Sequence, residues 1–281
     1  MKIRKALITL ADPNQSTLPL QTLIDRKGDR KPALELILDE AASAGIEEII
    51  LIVCPADIEP YKKAAGKHRE SLRFLEQESP AGYANAILLA KDAIGDEPFL
   101  HLVGDHLCVS NRSISCAQQL VKVAEQSQSS VSGVQATREN LITSFGAVGG
   151  RLEGRESGLY RVDTVLEKPT PTEAELSLLV PGLRAGFYLC FFGIHVLSPT
   201  IFEILESTTR SNERGARSLS LALQKLAEKE KVLALEIHGD RFDIGSEYGI
   251  FFAQLALALS GEDRDKVMSG LLELVAQKVK S

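Results

Sequence analysis

Short apolar runs alternate along the chain with longer segments in which hydrophobic residues recur at helical spacing. Apolar runs at residues 6–10, 49–53 and 99–103 have the length and continuity of strands that are buried on both faces of a sheet. Between them, residues 32–44 and 82–94 place their hydrophobic side chains on one helical face, and a glycine that favours a helix end follows each segment. This β-α-β-α-β order predicts an α/β fold, a mostly parallel sheet with helices on both faces.

The rest of the chain continues the alternation, with shorter strands and more glycines in its middle. We predict strands at residues 130–137, 186–197 and 232–237, and helices at residues 117–125, 199–206, 219–228, 247–259 and 264–279. No repeat and no linker rich in proline, glycine or serine divides the sequence. We therefore expect one domain over residues 1–260, with a small subregion at about residues 140–195. A C-terminal helix over residues 261–281 would pack its apolar stripe on this body or on a second copy of the chain.

Composition narrows the class of protein. Hydrophobic residues make up 44% and charged residues 25% of the 281 residues, which is typical of a globular protein and excludes a disordered chain. The net charge of −6 argues against nucleic acid as a partner, because such proteins need a basic surface. The four cysteines lack the Cys-x-x-Cys spacing of zinc sites, so we predict buried free thiols.

The hydropathy of the chain gives no sign of a membrane segment. No stretch approaches the roughly 18 consecutive apolar residues that a membrane-spanning helix requires. Asp12 and Pro13 interrupt the first apolar run too early for a signal peptide. We therefore expect a cytoplasmic protein that does not contact membranes.

Two aspartates lie just past predicted strand ends and are candidates for chemistry. Asp105 ends the segment Phe99-Leu100-His101-Leu102-Val103-Gly104, and Asp243 follows Arg241-Phe242. In α/β sheets ligands bind beyond the carboxyl ends of strands, and a pair of carboxylates there would suit Mg²⁺ bridged to substrate phosphates. The alternative is that each aspartate only caps a turn or a helix.

Two further segments carry polar groups that suit a phosphorylated ligand. Gln77 precedes a helix start at Gly82, where small residues let a ligand approach backbone N–H groups and an amide can recognise a pyrimidine edge. Glu167, Lys168 and Pro169 follow a predicted strand, where a carboxylate would accept from sugar hydroxyls and an ammonium would hold a phosphate. Ordinary turn chemistry and an exposed ion pair remain the alternatives for these two segments.

In this order and spacing, these segments resemble the sugar-1-phosphate nucleotidyltransferases, and most of all their UTP–glucose-1-phosphate uridylyltransferase branch. The resemblance extends from about residue 4 to residue 260. It is carried by Ala6-Leu7-Ile8, Leu18-Pro19, Ala44-Gly45-Ile46, Gln77-x-x-Pro80-x-Gly82, Asp96-Glu97-Pro98-Phe99, Gly104-Asp105, Phe145-Gly146-Ala147-Val148, Glu167-Lys168-Pro169, Gly193-x-x-Val196-Leu197-x-Pro199 and Phe242-Asp243-Ile244-Gly245.

The resemblance implies a Rossmann-like nucleotidyltransferase fold and the formation of UDP-glucose and pyrophosphate from UTP and glucose 1-phosphate. It implies that Asp105 and Asp243 hold Mg²⁺ and, with Lys168, form the catalytic group. It places the subregion at residues 140–195 around the sugar. The implied nucleotide-binding residues are Ala11, Asp12, Gln77, Pro80 and Gly82, and the implied sugar-phosphate-binding residues are Gly146, Glu167 and Lys168.

The N-terminal loop departs from the pattern of this family, which has a glycine-rich turn with an arginine and then a Pro-Lys pair. Here Asp12 stands at a glycine position and Ser16 at the arginine position, and no Pro-Lys follows Leu18-Pro19. Two features could compensate for this altered loop. Asp12 could serve as an extra Mg²⁺ ligand, or the basic run at residues 26–31 could fold over the phosphates. The alternative function is a catalytically impaired sugar-nucleotide-binding or regulatory protein. Glycosyl transfer from a nucleotide sugar fits less well, because no separate acceptor-binding region is evident.

Overall fold

The computed structural model of the protein describes residues 1–78, 82–154, 158–209 and 218–279. The strands in these residues are β1 Lys5–Leu10, β2 Thr22–Ile24, β3 Arg30–Pro32, β4 Glu48–Val53, β5 Leu72–Glu76, β6 Phe99–Val103, β7 His106–Ser110, β8 Ser130–Arg138, β9 Gly146–Leu152, β10 Leu159–Glu167, β11 Phe187–Leu197, β12 Val232–Glu236 and β13 Gly239–Asp243. The helices are α1 Ala33–Ser43, α2 Ile58–Ala64, α3 Tyr83–Leu88, α4 Lys91–Ile94, α5 Cys116–Ser127, α6 Pro171–Ser177, α7 Thr200–Thr209, α8 Leu219–Lys229, α9 Gly249–Leu259 and α10 Arg264–Val279.

Nine strands form one mixed sheet in the order β5-β4-β1-β6-β11-β8-β12-β10-β9. Strands β5, β4, β1 and β6 are parallel to one another, β11 is antiparallel to β6 and β8, and β12 is parallel to β8. The strand order reverses at β1, because β4 pairs with one of its edges and β6 with the other. The carboxyl ends of β1 and β6 therefore border the crevice where open α/β sheets bind ligands.

Helices cover both faces of this sheet, as the continuous apolar runs predict. Ala6 and Ile8 of β1 belong to the core on one face, and Leu7 belongs to the core on the other. Successive side chains of a strand point to opposite faces, so a strand covered on both sides must be apolar throughout. The predicted α/β class and the three apolar strands are confirmed.

Two smaller predictions are corrected. The helix expected over residues 82–94 is two short helices, α3 and α4, separated at Leu89 and Ala90. Asp243 does end a strand, but β13 pairs antiparallel with β7 in a separate two-stranded ribbon and not in the main sheet. This ribbon lies at the carboxyl end of β6 because β7 begins only three residues after β6 ends.

The cysteine prediction holds only in part, and the contact partner of the C-terminal helix stays a prediction. All four cysteines are free thiols, but only Cys116 and Cys190 are buried. None of the described side chains of α10 is buried, and Leu272, Leu274 and Val275 are exposed. No helix within the described ranges is long and apolar enough to cross a membrane.

Candidate active site

Two adjoining cavities open at the carboxyl ends of β1 and β6. The smaller has a volume of about 310 Å³ and the larger of about 510 Å³. Tyr83 and Val103 line both cavities, so the two spaces meet at the first residue of α3 and the last residue of β6. A ligand with two linked parts would fit across this divide.

The smaller cavity contains most of the residues predicted to bind a nucleotide. Its lining includes Ala11, Asp12, Gln77, Gly82 and Asp105. These residues converge because the strands preceding them are parallel neighbours, which brings their carboxyl ends to one edge of the sheet. Pro80, the remaining predicted nucleotide-binding residue, lies outside the described residues.

Gln77 and Gly82 are both fixed locally. The side-chain amide of Gln77 donates to Asn85 Oδ1 at 3.1 Å, and the residue is only 7% exposed. Gly82 has φ of 101° where it precedes α3, a conformation that side chains other than glycine rarely adopt. Both residues line the smaller cavity beside the start of α3.

The loop after β1 is closed by its own aspartate. Asp12 Oδ1 accepts from the backbone N–H of Asn14 at 2.9 Å, and Asp12 O accepts from Gln15 at 3.0 Å. The Asp12 side chain thereby occupies the backbone donor of Asn14 within the loop. Asp12 is exposed and lines the cavity, so its charge acts on whatever enters.

The described lining of the smaller cavity contains two carboxylates, Asp12 and Asp105, and neither lysine nor arginine. The basic run at residues 26–31 does not supply the missing charge. Lys31 pairs with Asp25 at 3.1 Å and Asp39 at 2.8 Å, and Arg26 donates to the carbonyls of Ser110 and Ser260. Two of the run's four cations are thus engaged elsewhere, and none of its residues lines either cavity. The hypothesis that the run folds over the phosphates stays a prediction.

Asp105 and Asp243 are brought together, and His106 joins them. One ligand atom from each of the three side chains lies within 4.8 Å of the others, which is a donor set suited to a divalent cation. Asp243 lies directly opposite His106 in the β7–β13 ladder, and His106 Nδ1 is 2.6 Å from Asp105 Oδ1. Sequence reasoning missed His106, since a single histidine after an aspartate forms no pattern.

Backbone contacts hold this group in place. Ile244 N–H donates to the carbonyl of Asp105 at 2.9 Å, and Gly245 N–H donates to Asp243 Oδ1 at 2.8 Å. The turn after β13 is thus tied to the turn after β6. We refer to Asp105, His106 and Asp243 as the carboxylate–histidine cluster.

The larger cavity contains two of the residues predicted to bind the sugar, Gly146 and Glu167. Glu167 accepts a hydrogen bond from the Ser220 hydroxyl, which orients the carboxylate at the end of β10. A Cβ atom at Gly146 would lie 2.6 Å from Ser220 Oγ and 2.7 Å from Phe191 Cδ2, so the close approach of β9 to these groups requires glycine.

Lys168 is the exception among the predicted site residues. It has φ of 47°, its N–H donates to the carbonyl of Phe145, and its exposed side chain lines neither cavity. The structure places its backbone at the rim of the larger cavity. Its assignment as a phosphate ligand stays a prediction.

Buried uncharged groups lie behind the divide between the cavities. The Tyr83 hydroxyl is 3.2 Å from His101 Nε2, and His195, which lines the larger cavity, is 2.9 Å from the Ser132 hydroxyl through Nδ1. Burial lowers the pKa of His195 to about 3, and burial and the neighbouring His195 hold the pKa of His101 well below its usual range. Both imidazoles are therefore neutral. The side chains between the two cavities can form hydrogen bonds but carry no charge.

Comparison with known proteins gives a consistent picture. Residues 23–258 match the model of the nucleotidyl transferase family, so the match begins after the altered N-terminal loop. The UTP–glucose-1-phosphate uridylyltransferase YngB of Bacillus subtilis is 28% identical over 311 residues, covering 99% of this chain and 98% of that protein. A UTP–glucose-1-phosphate uridylyltransferase of Streptococcus pyogenes is 28% identical over 285 residues, covering 92% of this chain and 90% of that protein.

Solved structures show the same fold. A UDP-glucose pyrophosphorylase in complex with UDP-glucose aligns with a TM-score of 0.74 at 24% identity, covering 90% of this chain and 98% of that one. The UTP-bound enzyme of Acinetobacter baumannii aligns with a TM-score of 0.75 at 23% identity, covering 97% of this chain and 99% of that one. These matches confirm the resemblance drawn from the sequence and the Rossmann-like nucleotidyltransferase fold that it implies.

Proposed function

The chain belongs to the nucleotidyl transferase family, and we propose that it forms UDP-glucose and pyrophosphate from UTP and glucose 1-phosphate. An oxygen of the sugar phosphate attacks the α-phosphorus of UTP in line, the new P–O bond forms, and the bond to the β-phosphate breaks to release pyrophosphate. The reaction needs no covalent protein intermediate, so the protein acts by positioning two anions and offsetting their repulsion.

The observation that carries the proposal is the division of the predicted residues between the two cavities. Four of the five residues assigned to the nucleotide line the smaller cavity, and two of the three assigned to the sugar phosphate line the larger one. Asp105 lines the smaller cavity and His106 lines the larger one. The proposed nucleotide contacts are Ala11, Asp12, Gln77, Pro80 and Gly82. The proposed sugar-phosphate contacts are Gly146, Glu167 and Lys168.

We assign Asp105 and Asp243 as ligands of Mg²⁺. When bound, the ion neutralises phosphate charge and holds the two substrates in line. The two carboxylates would hold the ion beside the smaller cavity, whose described lining offers the phosphates no lysine or arginine. Lys168 completes the proposed catalytic group at the rim of the larger cavity.

Pyrophosphate release from UTP and glucose 1-phosphate with Mg²⁺ tests the proposal. Asp105→Asn should lower kcat/KM by about a hundredfold or more, because it removes a ligand charge at the divide between the cavities. Asp163→Asn is the matched control, since Asp163 is an exposed residue of β10 that lines neither cavity. Absence of turnover by the wild-type protein with all four nucleoside triphosphates and several sugar phosphates would reject it.

The second candidate is a sugar-nucleotide-binding or regulatory protein with impaired catalysis. Asp12 in the nucleotide loop and the lack of a cation in the described lining of the smaller cavity favour it. Binding of UDP-glucose without any turnover, measured by calorimetry beside the pyrophosphate assay, would select this function over the first.

We also propose a cytoplasmic location and a homo-oligomer. Both proposed substrates are intracellular metabolites, and the exposed Leu272, Leu274 and Val275 of α10 offer an apolar contact for a second copy. Light scattering of the purified full-length chain, beside a variant with serine at these three positions, measures the oligomeric state.

A further inference from the structure

We propose that His106 is the third protein ligand of the cation site and that its imidazole makes the site bind first-row transition-metal cations more tightly than Mg²⁺. The inference uses the cation site of the proposed function. It does not depend on turnover.

The position of His106 is set by two neighbours. It follows Asp105 directly, and the β7–β13 ladder places it opposite Asp243. Two ligands of one ion, each about 2.2 Å from it, can lie up to about 4.4 Å apart. The largest separation in the carboxylate–histidine cluster is within 4.8 Å, so a small side-chain adjustment lets all three groups bind one ion.

The cluster is held in place before any ligand arrives. The side chains of His106 and Asp105 are 16% and 24% exposed, and Asp243 is oriented by the N–H of Gly245. A site with two carboxylates relies on substrate phosphates to complete the coordination of an ion. A third protein ligand lets the ion bind without nucleotide.

The chemistry of the third ligand determines the preferred ion. Mg²⁺ favours oxygen ligands and an octahedral shell of waters, whereas imidazole nitrogen suits transition metals. Affinity of mixed nitrogen and oxygen sites rises from Mn²⁺ towards Co²⁺ and Ni²⁺. His106 therefore adds more to the binding of Co²⁺ than to the binding of Mg²⁺.

A purely structural role makes a different prediction. His106 Nδ1 is within hydrogen-bond distance of Asp105 Oδ1, and the ring could serve only to orient that carboxylate. In that case no metal–nitrogen bond forms, and loss of the ring would weaken the binding of Co²⁺ and Mg²⁺ alike.

Electron spin-echo spectroscopy of Mn²⁺ bound to the nucleotide-free protein tests the bond directly. We expect ¹⁴N modulation from a coordinated imidazole in the wild-type protein, its loss in His106→Asn, and its retention in His238→Asn. His238 is an exposed histidine outside both cavities and is the matched control. Wild-type spectra without ¹⁴N modulation, or modulation that persists in His106→Asn, would overturn the inference.

Calorimetry with Co²⁺ and Mg²⁺ tests the preference. We expect His106→Asn to lower Co²⁺ affinity by about tenfold or more and Mg²⁺ affinity by less than about threefold. An equal loss for the two ions would assign His106 to the structural role.

Circular dichroism checks that His106→Asn folds, and His106→Gln replaces it if it does not. Nitrogen coupling without turnover would reject only the proposed function, and turnover without nitrogen coupling would reject only this inference.

Discussion

Asp12→Asn should tighten UTP binding, because it removes one negative charge from the smaller cavity and changes little else. The asparagine side chain keeps an oxygen that accepts from the backbone N–H of Asn14, as Asp12 Oδ1 does at 2.9 Å. The turn after β1 is therefore preserved. The substitution therefore measures the effect of the carboxylate's charge separately from the effect of its hydrogen bond.

The expected size follows from the exposure of Asp12. Two unit charges about 4 Å apart interact by about 1 kcal/mol in water-like surroundings and by about 4 kcal/mol at an effective dielectric constant of 20. Asp12 is exposed, so the lower figure applies, and 1 kcal/mol corresponds to about a fivefold change in affinity. In surroundings with the lower dielectric constant, the effect would rise towards the higher figure, which corresponds to about a thousandfold.

Calorimetric titration of UTP in the presence of Mg²⁺ at low and high ionic strength measures the effect. The gain should shrink at high ionic strength, since salt screens exposed charges. Uridine, which has no phosphates, should bind equally well to both proteins, and Asp163→Asn should bind UTP like the wild type. Weaker UTP binding by Asp12→Asn only when Mg²⁺ is present would show that Asp12 is a cation ligand. Unchanged binding would show that the phosphates lie elsewhere.

Three further predictions concern the sugar cavity and stability. Gly146→Ala should raise KM for glucose 1-phosphate about tenfold and lower the free energy of unfolding by about 1–3 kcal/mol, because the added methyl group meets Ser220. Gly270→Ala is the control and should have neither effect, since a Cβ atom there meets nothing within 4 Å. Steady-state kinetics measures KM, and urea unfolding measures the stability. Asp39→Asn should lower the free energy of unfolding by about 1–2 kcal/mol at neutral pH. Burial alone would raise the pKa of Asp39, but hydrogen bonds from two lysines and a histidine lower it to about 2, so the stabilisation should disappear as pH falls from 3.8 through 2, and unfolding curves across that range check it. Burial raises the pKa of Glu40 above 4.5, so the wild-type protein loses stability as pH rises through the folded-state pKa. Glu40→Gln should remove that loss. The difference in the free energy of unfolding between Glu40→Gln and the wild type, measured with urea, should therefore grow from pH 4.5 to neutral pH.

The parts of the fold that were predictable are those in which burial alone determines the sequence. Strands β1, β4 and β6 are covered on both faces, so each has to be a continuous apolar run. The break between α3 and α4 was not predictable in this way, because Ala86, Ala90 and Ala93 are all buried across it. Hydrophobic periodicity reports which face is buried and does not report whether the backbone hydrogen bonds continue.

The candidate site was predictable at strand ends and not beyond them. Asp105 follows the apolar strand β6 and Asp243 ends β13, and these positions at strand ends pointed to a ligand edge. Their convergence depends on the β7–β13 ladder, which no local pattern indicates, and the same ladder brings in His106. His106 lies in the site because of the pairing register of two strands that are far apart in the sequence. From the sequence alone, this single histidine cannot be distinguished from a surface residue.

The charge distribution sets different requirements for the two candidate functions. Since the described lining of the smaller cavity has carboxylates and neither lysine nor arginine, a triphosphate needs a divalent cation there in both cases. Cation-dependent binding therefore does not separate an enzyme from a binding protein. Catalysis also requires stronger interactions in the transition state than in the bound substrate, when charge builds up on the departing pyrophosphate. The repulsion from Asp12 acts on that charge, so an active enzyme should gain in kcat from Asp12→Asn, whereas a binding protein should gain only in affinity.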